Sequence, residues 1–119
     1  KDLYDLIVSD YYLLDYEMIS VVYVNNSLEV IKKRMFSNEV PASVLIPTRK
    51  IVAEAISLNA YGVFLAHNHP SNSLTPSISD IDTTIELARV LANIQIKLLD
   101  HIIIGKDSFY SFEESDIKI

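Results

Sequence analysis

Residues 65–71 read Leu65-Ala66-His67-Asn68-His69-Pro70-Ser71, and they follow directly on the short apolar run Tyr61–Ala66. An apolar run of this length is typical of a buried strand, and Pro70 ends it because proline cannot donate to a strand ladder. Residues two apart in extended backbone face the same side, so both imidazoles can reach one point while Asn68 points away. The segment therefore predicts a strand that delivers two histidines to one face.

Helical and strand patterns alternate on either side of this segment. Apolar residues at three- and four-residue spacing predict the helices, and β-branched and aromatic runs predict the strands. The predicted elements are a helix over Asp2–Leu14, strands over Glu17–Asn25 and Leu28–Phe36, a helix from Pro47 to Asn59, the strand Tyr61–Ala66, a helix from Ser77 with the apolar stripe Ile78, Ile81, Ile85, Ala88 and Leu91, and strands over Ile96–Ile104 and Ser108–Phe112. This order favours an α/β fold with a mixed sheet and helices packed on its faces.

The length of 119 residues predicts one domain covering positions 1–119. The chain begins at Lys1 rather than Met, which indicates a domain excised from a longer protein. Its apolar runs are far shorter than a membrane span, and no charged-then-apolar leader opens it, so we expect a soluble, cytoplasmic domain.

Charge and cysteine content narrow the possible chemistry. A net charge of −6 argues against a protein that binds nucleic acid on its own, because such binding depends on Lys and Arg neutralising phosphates. Lys32, Lys33 and Arg34 form the one basic cluster, which we interpret as a solvated strand edge. With no cysteine, disulfides, thiolate metal sites and thiol catalysis are excluded, and histidine and carboxylate remain as the metal ligands to consider.

Asp80 is the natural carboxylate partner of the two histidines. It follows His69 by eleven residues and lies in the first turn of the predicted third helix, where its carboxylate can return to the strand end. Two histidines and one carboxylate with an open fourth position are typical of a catalytic zinc site. Two plainer interpretations stay open: the histidines can be ordinary hydrogen-bonding residues, and Ser77-x-x-Asp80 resembles a helix capping box.

The spacing His67-x-His69, seven residues, Ser77, two residues and Asp80 resembles the pattern of JAMM/MPN-type zinc metalloproteases. Within that group the chain is most similar to the C-terminal domain of the RadC family. The segments that carry the similarity are Ser57-Leu58-Asn59-Ala60, residues 65–71, Pro76-Ser77-x-x-Asp80 and Leu99-Asp100-His101-Ile102. Asn38 and Asn72 depart from it, since RadC-like sequences have glycine there, but asparagine tolerates positive φ better than most residues. The resemblance implies an αβα sandwich of the JAMM and cytidine-deaminase-like type.

The resemblance also implies a mechanism. Glu17 is carried over as the general base and Ser77 as a hydrogen-bond donor to the developing oxyanion, with zinc on His67, His69 and Asp80. Three other glutamates fit less well by position: Glu29, Glu39 and Glu54. His101 is expected to be a hydrogen-bonding residue behind the ligands. The implied reaction is hydrolysis of a peptide or isopeptide bond.

Two rival functions and one assembly question stay open. A DNA-repair-associated binding module could keep the fold without hydrolysis. A zinc deaminase would share the sandwich fold, but its His-x-Glu and Pro-Cys-x-x-Cys motifs are missing from the sequence. An edge strand could pair two copies into a homodimer. For the leading function the expected partner is a protein or peptide substrate.

Overall fold

A computed structural model describes residues 3–11, 14–37, 46–69 and 71–115. Within these ranges it contains three helices, one 3-10 turn and five strands. In chain order they are α1 (Leu3–Val8), the 3-10 turn Ser9–Tyr11, β1 (Met18–Val24), β2 (Val30–Ser37), α2 (Thr48–Ser57), β3 (Gly62–Asn68), α3 (Ile78–Asn93), β4 (Lys97–Ile104) and β5 (Phe109–Ser111).

The strands form one mixed sheet in the order β2-β1-β3-β4-β5. β1 lies antiparallel to both β2 and β3, β3 and β4 are parallel, and β5 returns antiparallel to β4. Parallel neighbours need a crossover connection, and α3 supplies the one between β3 and β4. Because α3 begins a short loop after β3 ends, the carboxyl end of β3 and the amino end of α3 meet at one edge of the sheet.

Each face of the sheet has its own apolar core. On one face, odd-numbered β1 residues such as Val21 pack with α2 and α3 through Ile51 and Leu87. On the other face, even-numbered β1 residues such as Val22 pack with Ile7 of α1. The two-residue period of the strand therefore separates the cores, and helices cover both faces. This arrangement confirms the predicted α/β fold with a mixed sheet.

The first helix is shorter than the predicted range Asp2–Leu14. It ends at Val8 and passes into the 3-10 turn Ser9–Tyr11, while Leu14 is not helical; Asp2 and residues 12–13 lie outside the described residues. The buried Tyr11 hydroxyl lies within hydrogen-bond distance of the Met18 carbonyl (3.2 Å), Ser20 Oγ (2.8 Å) and the Ala66 carbonyl (3.1 Å). These contacts hold Tyr11 against β1 and β3, and the chain leaves the α-helix at the point where helical spacing predicted that it continues.

The buried face of α3 also differs from the predicted stripe. Thr84, Leu87 and Leu91 are its buried residues, whereas Ile78 is 78% exposed. The middle and last turns of the helix pack on the sheet and on α2, but its first turn lies at the sheet edge beside the histidines. Spacing identified the helix correctly, and the neighbours of each turn decided which residues are covered.

The remaining boundaries agree with the predictions to within about two residues, as is usual for helix and strand ends. Pro47 is the N-cap of α2 rather than its first residue, and Asn59 has the left-handed conformation (φ 53°) expected after that helix. None of the described helices is both long and apolar enough to cross a membrane.

The basic cluster lies on β2, which is an edge strand with exposed residues. Lys33 Nζ lies 2.7 Å from Asp10, while Lys32 Nζ and Arg34 Nε lie 3.1 and 3.3 Å from the carboxylate oxygens of Glu54. The cluster is therefore ion-paired with acids of the 3-10 turn and of α2.

Candidate metal centre

The end of β3 presents two imidazoles at the same point. The strand runs two residues further than predicted, because His67 and Asn68 still pair with Ile103 and Ile104 of β4. His67 is buried, and His69 follows at the edge of the sheet. Their Nε2 atoms lie 3.1 Å apart. Strand geometry thus brings together the two histidines that the sequence placed on one face.

The carboxylate of Asp80 reaches the same point from the first turn of α3. Asp80 and Ser77 form a capping box, in which Ser77 Oγ accepts from the Asp80 N–H and Asp80 Oδ2 accepts from the Ser77 N–H, both at 2.9 Å. That same Oδ2 lies 3.0 Å from His69 Nε2, and Oδ1 lies 3.5 Å from His67 Nε2. The cap and the histidine contact are therefore compatible, since the cap orients the carboxylate toward the imidazoles.

Glu17 lies at the same site although it is distant in sequence. It immediately precedes β1, whose Ile19 is the register partner of His67, and alternation along the strand puts Glu17 on the histidine face. Its Oε2 lies 3.5 Å from His67 Nε2, and its side chain is only 7% exposed. One donor atom each from Glu17, His67 and His69 lie within 4.8 Å of one another.

Two of the three glutamates that were weaker candidates for the general base lie away from the histidines. Glu29 accepts a hydrogen bond from Asn25 Nδ2 in the exposed hairpin turn. Glu54 binds Lys32 and Arg34. Glu39 lies outside the described residues.

The second ring nitrogen of each histidine has its own partner. His69 Nδ1 lies 3.0 Å from the Ser73 carbonyl, which only accepts, so Nδ1 carries the proton and a neutral ring has its lone pair at Nε2. His67 Nδ1 lies 2.7 Å from His101 Nε2, and His101 Nδ1 lies 2.7 Å from Thr84 Oγ1. Burial is the main reason that the pKa of His101 lies well below its ordinary value, which keeps this ring neutral.

The donor set fits a cation. Ligand atoms that lie about 2.0–2.1 Å from a tetrahedral ion are about 3.3 Å from one another. Here the histidine Nε2 atoms lie 3.0 to 3.5 Å from each other and from the neighbouring carboxylate oxygens. Burial alone would raise the pKa of Asp80, but the neighbouring His67 ring and the Ser77 backbone N–H outweigh it and hold that pKa below its usual value. The carboxylate is thus ionised beside two imidazoles, a nitrogen and oxygen set that is compatible with a divalent metal ion.

Three further residues contact the histidines or the backbone around Glu17, and none of them was a candidate from the sequence. Thr84 and Ser73 contact ring nitrogens, and Asn68 binds backbone on either side of Glu17. Thr84 lies outside the apolar stripe that spacing predicted for α3, so nothing in the sequence indicated these contacts. Asn72 adopts a positive φ of 64°, as its glycine-like position implies, and Asn38 lies outside the described residues.

Comparison with known proteins gives a consistent family. The model of the RadC-like JAB domain matches residues 1–117. A UPF0758 protein of Fusobacterium nucleatum subsp. nucleatum is 42% identical over 101 residues, which cover 85% of this chain and 44% of the relative. A UPF0758 protein of Clostridium tetani is 38% identical over 118 residues, 98% of this chain and 51% of the relative. One from Geobacillus thermodenitrificans is 40% identical over 109 residues, 91% and 48% respectively.

The chain spans about half the length of the curated relatives it matches. The family match nonetheless covers nearly the whole chain, and the fold and the clustered histidines are those that the sequence resemblance implied. The chain therefore belongs to the RadC family, as a RadC-like JAB domain.

Proposed function

We propose that this domain is a zinc-dependent hydrolase that cleaves a peptide or isopeptide bond. The observation that carries the proposal is the convergence of His67 Nε2, His69 Nε2 and the Asp80 carboxylate, with Glu17 beside them, at separations of 3.0 to 3.5 Å. Two imidazoles and one carboxylate leave a coordination position for water, as in catalytic zinc sites. The bond class comes from the resemblance to JAMM/MPN-type metalloproteases.

His67, His69 and Asp80 are the proposed ligands. Zinc held by such a set would lower the pKa of a bound water and polarise a carbonyl. Glu17 is the proposed general base, because its carboxylate lies beside the ligand atoms without belonging to the two elements that carry them. It takes the proton of the attacking water and returns it to the leaving amine.

Ser77 is the proposed donor to the developing oxyanion. Its Oγ accepts from the Asp80 N–H at 2.9 Å, and this leaves the hydroxyl hydrogen for a second partner. The capping box fixes the residue at the start of α3, close to the carboxylate ligand. A donor held in advance at the place where charge develops stabilises the transition state without reorganisation.

Elemental analysis of purified protein tests the metal. We expect stoichiometric zinc in the wild type and loss of zinc in His67→Ala combined with His69→Ala, because both nitrogens would be removed. Asp82→Asn serves as a matched control, since Asp82 is an exposed acid on the same helix as Asp80. Equal zinc in the wild type and the double variant would refute the metal proposal.

Turnover tests the base. Glu17→Gln keeps the size of the side chain but cannot accept the proton, so the protein should still bind zinc, about tenfold more weakly, while cleavage of peptide and isopeptide substrates should fall by about 10²- to 10⁴-fold. Full activity in this variant would exclude Glu17. The binding-module alternative would replace the hydrolase if the wild-type protein contains no zinc, cleaves no peptide or isopeptide substrate, and shifts the mobility of labelled DNA in a salt-dependent way.

A further inference from the structure

Asn68 lies between the two histidines in sequence but on the opposite side of β3. Alternation along the strand turns it away from the imidazoles, and the residue is only 6% exposed. A buried carboxamide needs partners for both its oxygen and its nitrogen. The groups that hydrogen-bond to the Asn68 carboxamide therefore indicate its role in the fold.

Both partners are backbone groups that flank Glu17. Asn68 Oδ1 accepts a hydrogen bond from the Met18 N–H at 2.9 Å, and Asn68 Nδ2 donates one to the Tyr16 carbonyl at 3.0 Å. The side chain thus binds the residue before Glu17 and the residue after it. These contacts bridge 50 and 52 positions in sequence.

The location of this bridge matters because the regular ladder stops just short of it. The paired register of β1 and β3 runs from Val24–Gly62 to Ile19–His67, and β1 itself begins at Met18. The Asn68 carboxamide replaces the backbone pairing that would otherwise continue toward Glu17. The segment from Tyr16 to Met18 is therefore tied to the same strand that carries the histidines.

We propose that Asn68 is a positioning residue that holds the Glu17 carboxylate at the metal centre by clamping the two peptide groups on either side of it. This inference rests on the proposed function for the importance of Glu17, but the clamp is a statement about position. Asn suits the task because one planar group supplies an acceptor and a donor in fixed geometry. Aspartate would keep the acceptor and turn a negative oxygen toward the Tyr16 carbonyl, and leucine would provide neither group.

Crystal structures of two Asn68 variants test the position directly. In Asn68→Leu, and in the milder Asn68→Asp should the first variant fail to fold, Glu17 Oε2 should move away from its place 3.5 Å from His67 Nε2. Tyr11→Phe is the matched control, because the Tyr11 hydroxyl also ties β1 to β3 through Met18 and Ala66 on the same face. Tyr11→Phe should leave Glu17 in place. An unmoved Glu17 in both Asn68 variants would overturn the proposal.

Zinc affinity, measured by competition with a chelator, tests the consequence. Removing the Glu17 charge by Glu17→Gln and releasing it by Asn68→Leu should each weaken zinc binding about tenfold, and the double variant should lose no more than either single one, because both act through the same carboxylate. Additive losses of zinc affinity in the double variant would show that Asn68 does not act through Glu17, and would overturn the proposal. If the wild type binds no zinc while Glu17 still moves in Asn68→Leu, the proposed function fails and the clamp stands.

Discussion

His67 uses both ring nitrogens, and only one direction of the hydrogen-bond chain behind it allows metal binding. The chain runs from His67 Nδ1 to His101 Nε2 and from His101 Nδ1 to Thr84 Oγ1. If Thr84 accepts from His101, then His101 accepts from His67 and the His67 lone pair lies at Nε2. In the opposite direction His101 donates to His67, and the proton of a neutral His67 moves to Nε2, where it blocks a ligand bond.

The prediction at this scale concerns Thr84. Thr84→Val has nearly the same shape but no acceptor, so the chain should favour the blocking direction and zinc affinity should fall by about 10- to 100-fold. Thr84→Ser restores the hydroxyl and should restore the affinity. Chelator competition on both proteins measures the difference, and Val and Ser variants of equal affinity would refute the role of the hydroxyl.

At the scale of the element, the first turn of α3 combines a helix cap with a proposed metal ligand. Ser77 and Asp80 cap the helix reciprocally, and the carboxylate of Asp80 also contacts both imidazoles. The cap and ligand interpretations of Ser77-x-x-Asp80 were alternatives on sequence alone. In the folded chain the turn forms the cap and also places the carboxylate beside the imidazoles, so the proposed ligand role can be separated from the cap by substitution.

Ser77→Ala should lower stability without weakening zinc binding, whereas the main effect of Asp80→Asn should be on zinc affinity. Ser77→Ala removes the acceptor for the Asp80 N–H, so stability should fall by about 1 kcal/mol while zinc binding is kept. Asp80→Asn keeps an oxygen for the Ser77 N–H, so we expect a loss of at most about 1 kcal/mol from the missing charge at the helix start. Its zinc affinity should fall by at least about a hundredfold, the upper range for residues outside the ligand set.

Urea denaturation and chelator competition, run on both variants, measure the two quantities. Asp82→Asn controls for removal of an acid from the same helix, since Asp82 is exposed. If Asp80→Asn binds zinc as the wild type does, Asp80 is a cap alone.

At the scale of the whole molecule, the candidate metal centre joins the carboxyl end of β3, the amino end of α3 and the segment before β1. An ion bound there stabilises the folded chain, since the unfolded chain does not keep these groups together. At a free concentration about one hundred times the dissociation constant, the gain is about 2.7 kcal/mol, which should raise the Tm by roughly 10 °C in a domain of this size. Differential scanning calorimetry with zinc and with chelator measures this shift.

The matched control for this shift is the variant His67→Ala with His69→Ala, which should melt at the same temperature with and without zinc. A wild-type Tm that zinc leaves unchanged would contradict the expectation. The charge pattern belongs to this scale as well. The basic residues of β2 are ion-paired with Asp10 and Glu54, and the expectation that the domain does not bind nucleic acid on its own stays a prediction.

Local sequence rules predicted several features of the fold and of the candidate site. The two-residue period of a strand put His67 and His69 on one face, and the cap pattern placed Asp80 at the start of a helix. Asn59 took the left-handed conformation that its position after a helix implied. These features depend on neighbours within a few residues, so the sequence alone was enough to predict them.

Only the tertiary structure decided which distant groups meet. Periodicity could not place Glu17 beside His67, align His101 with Thr84, or turn the Asn68 carboxamide toward Tyr16 and Met18. It also could not tell which side of α3 is buried, because that depends on the elements that pack against each turn. Such contacts follow from strand register and helix docking, which are fixed by the packing of the whole core rather than by any local stretch of chain.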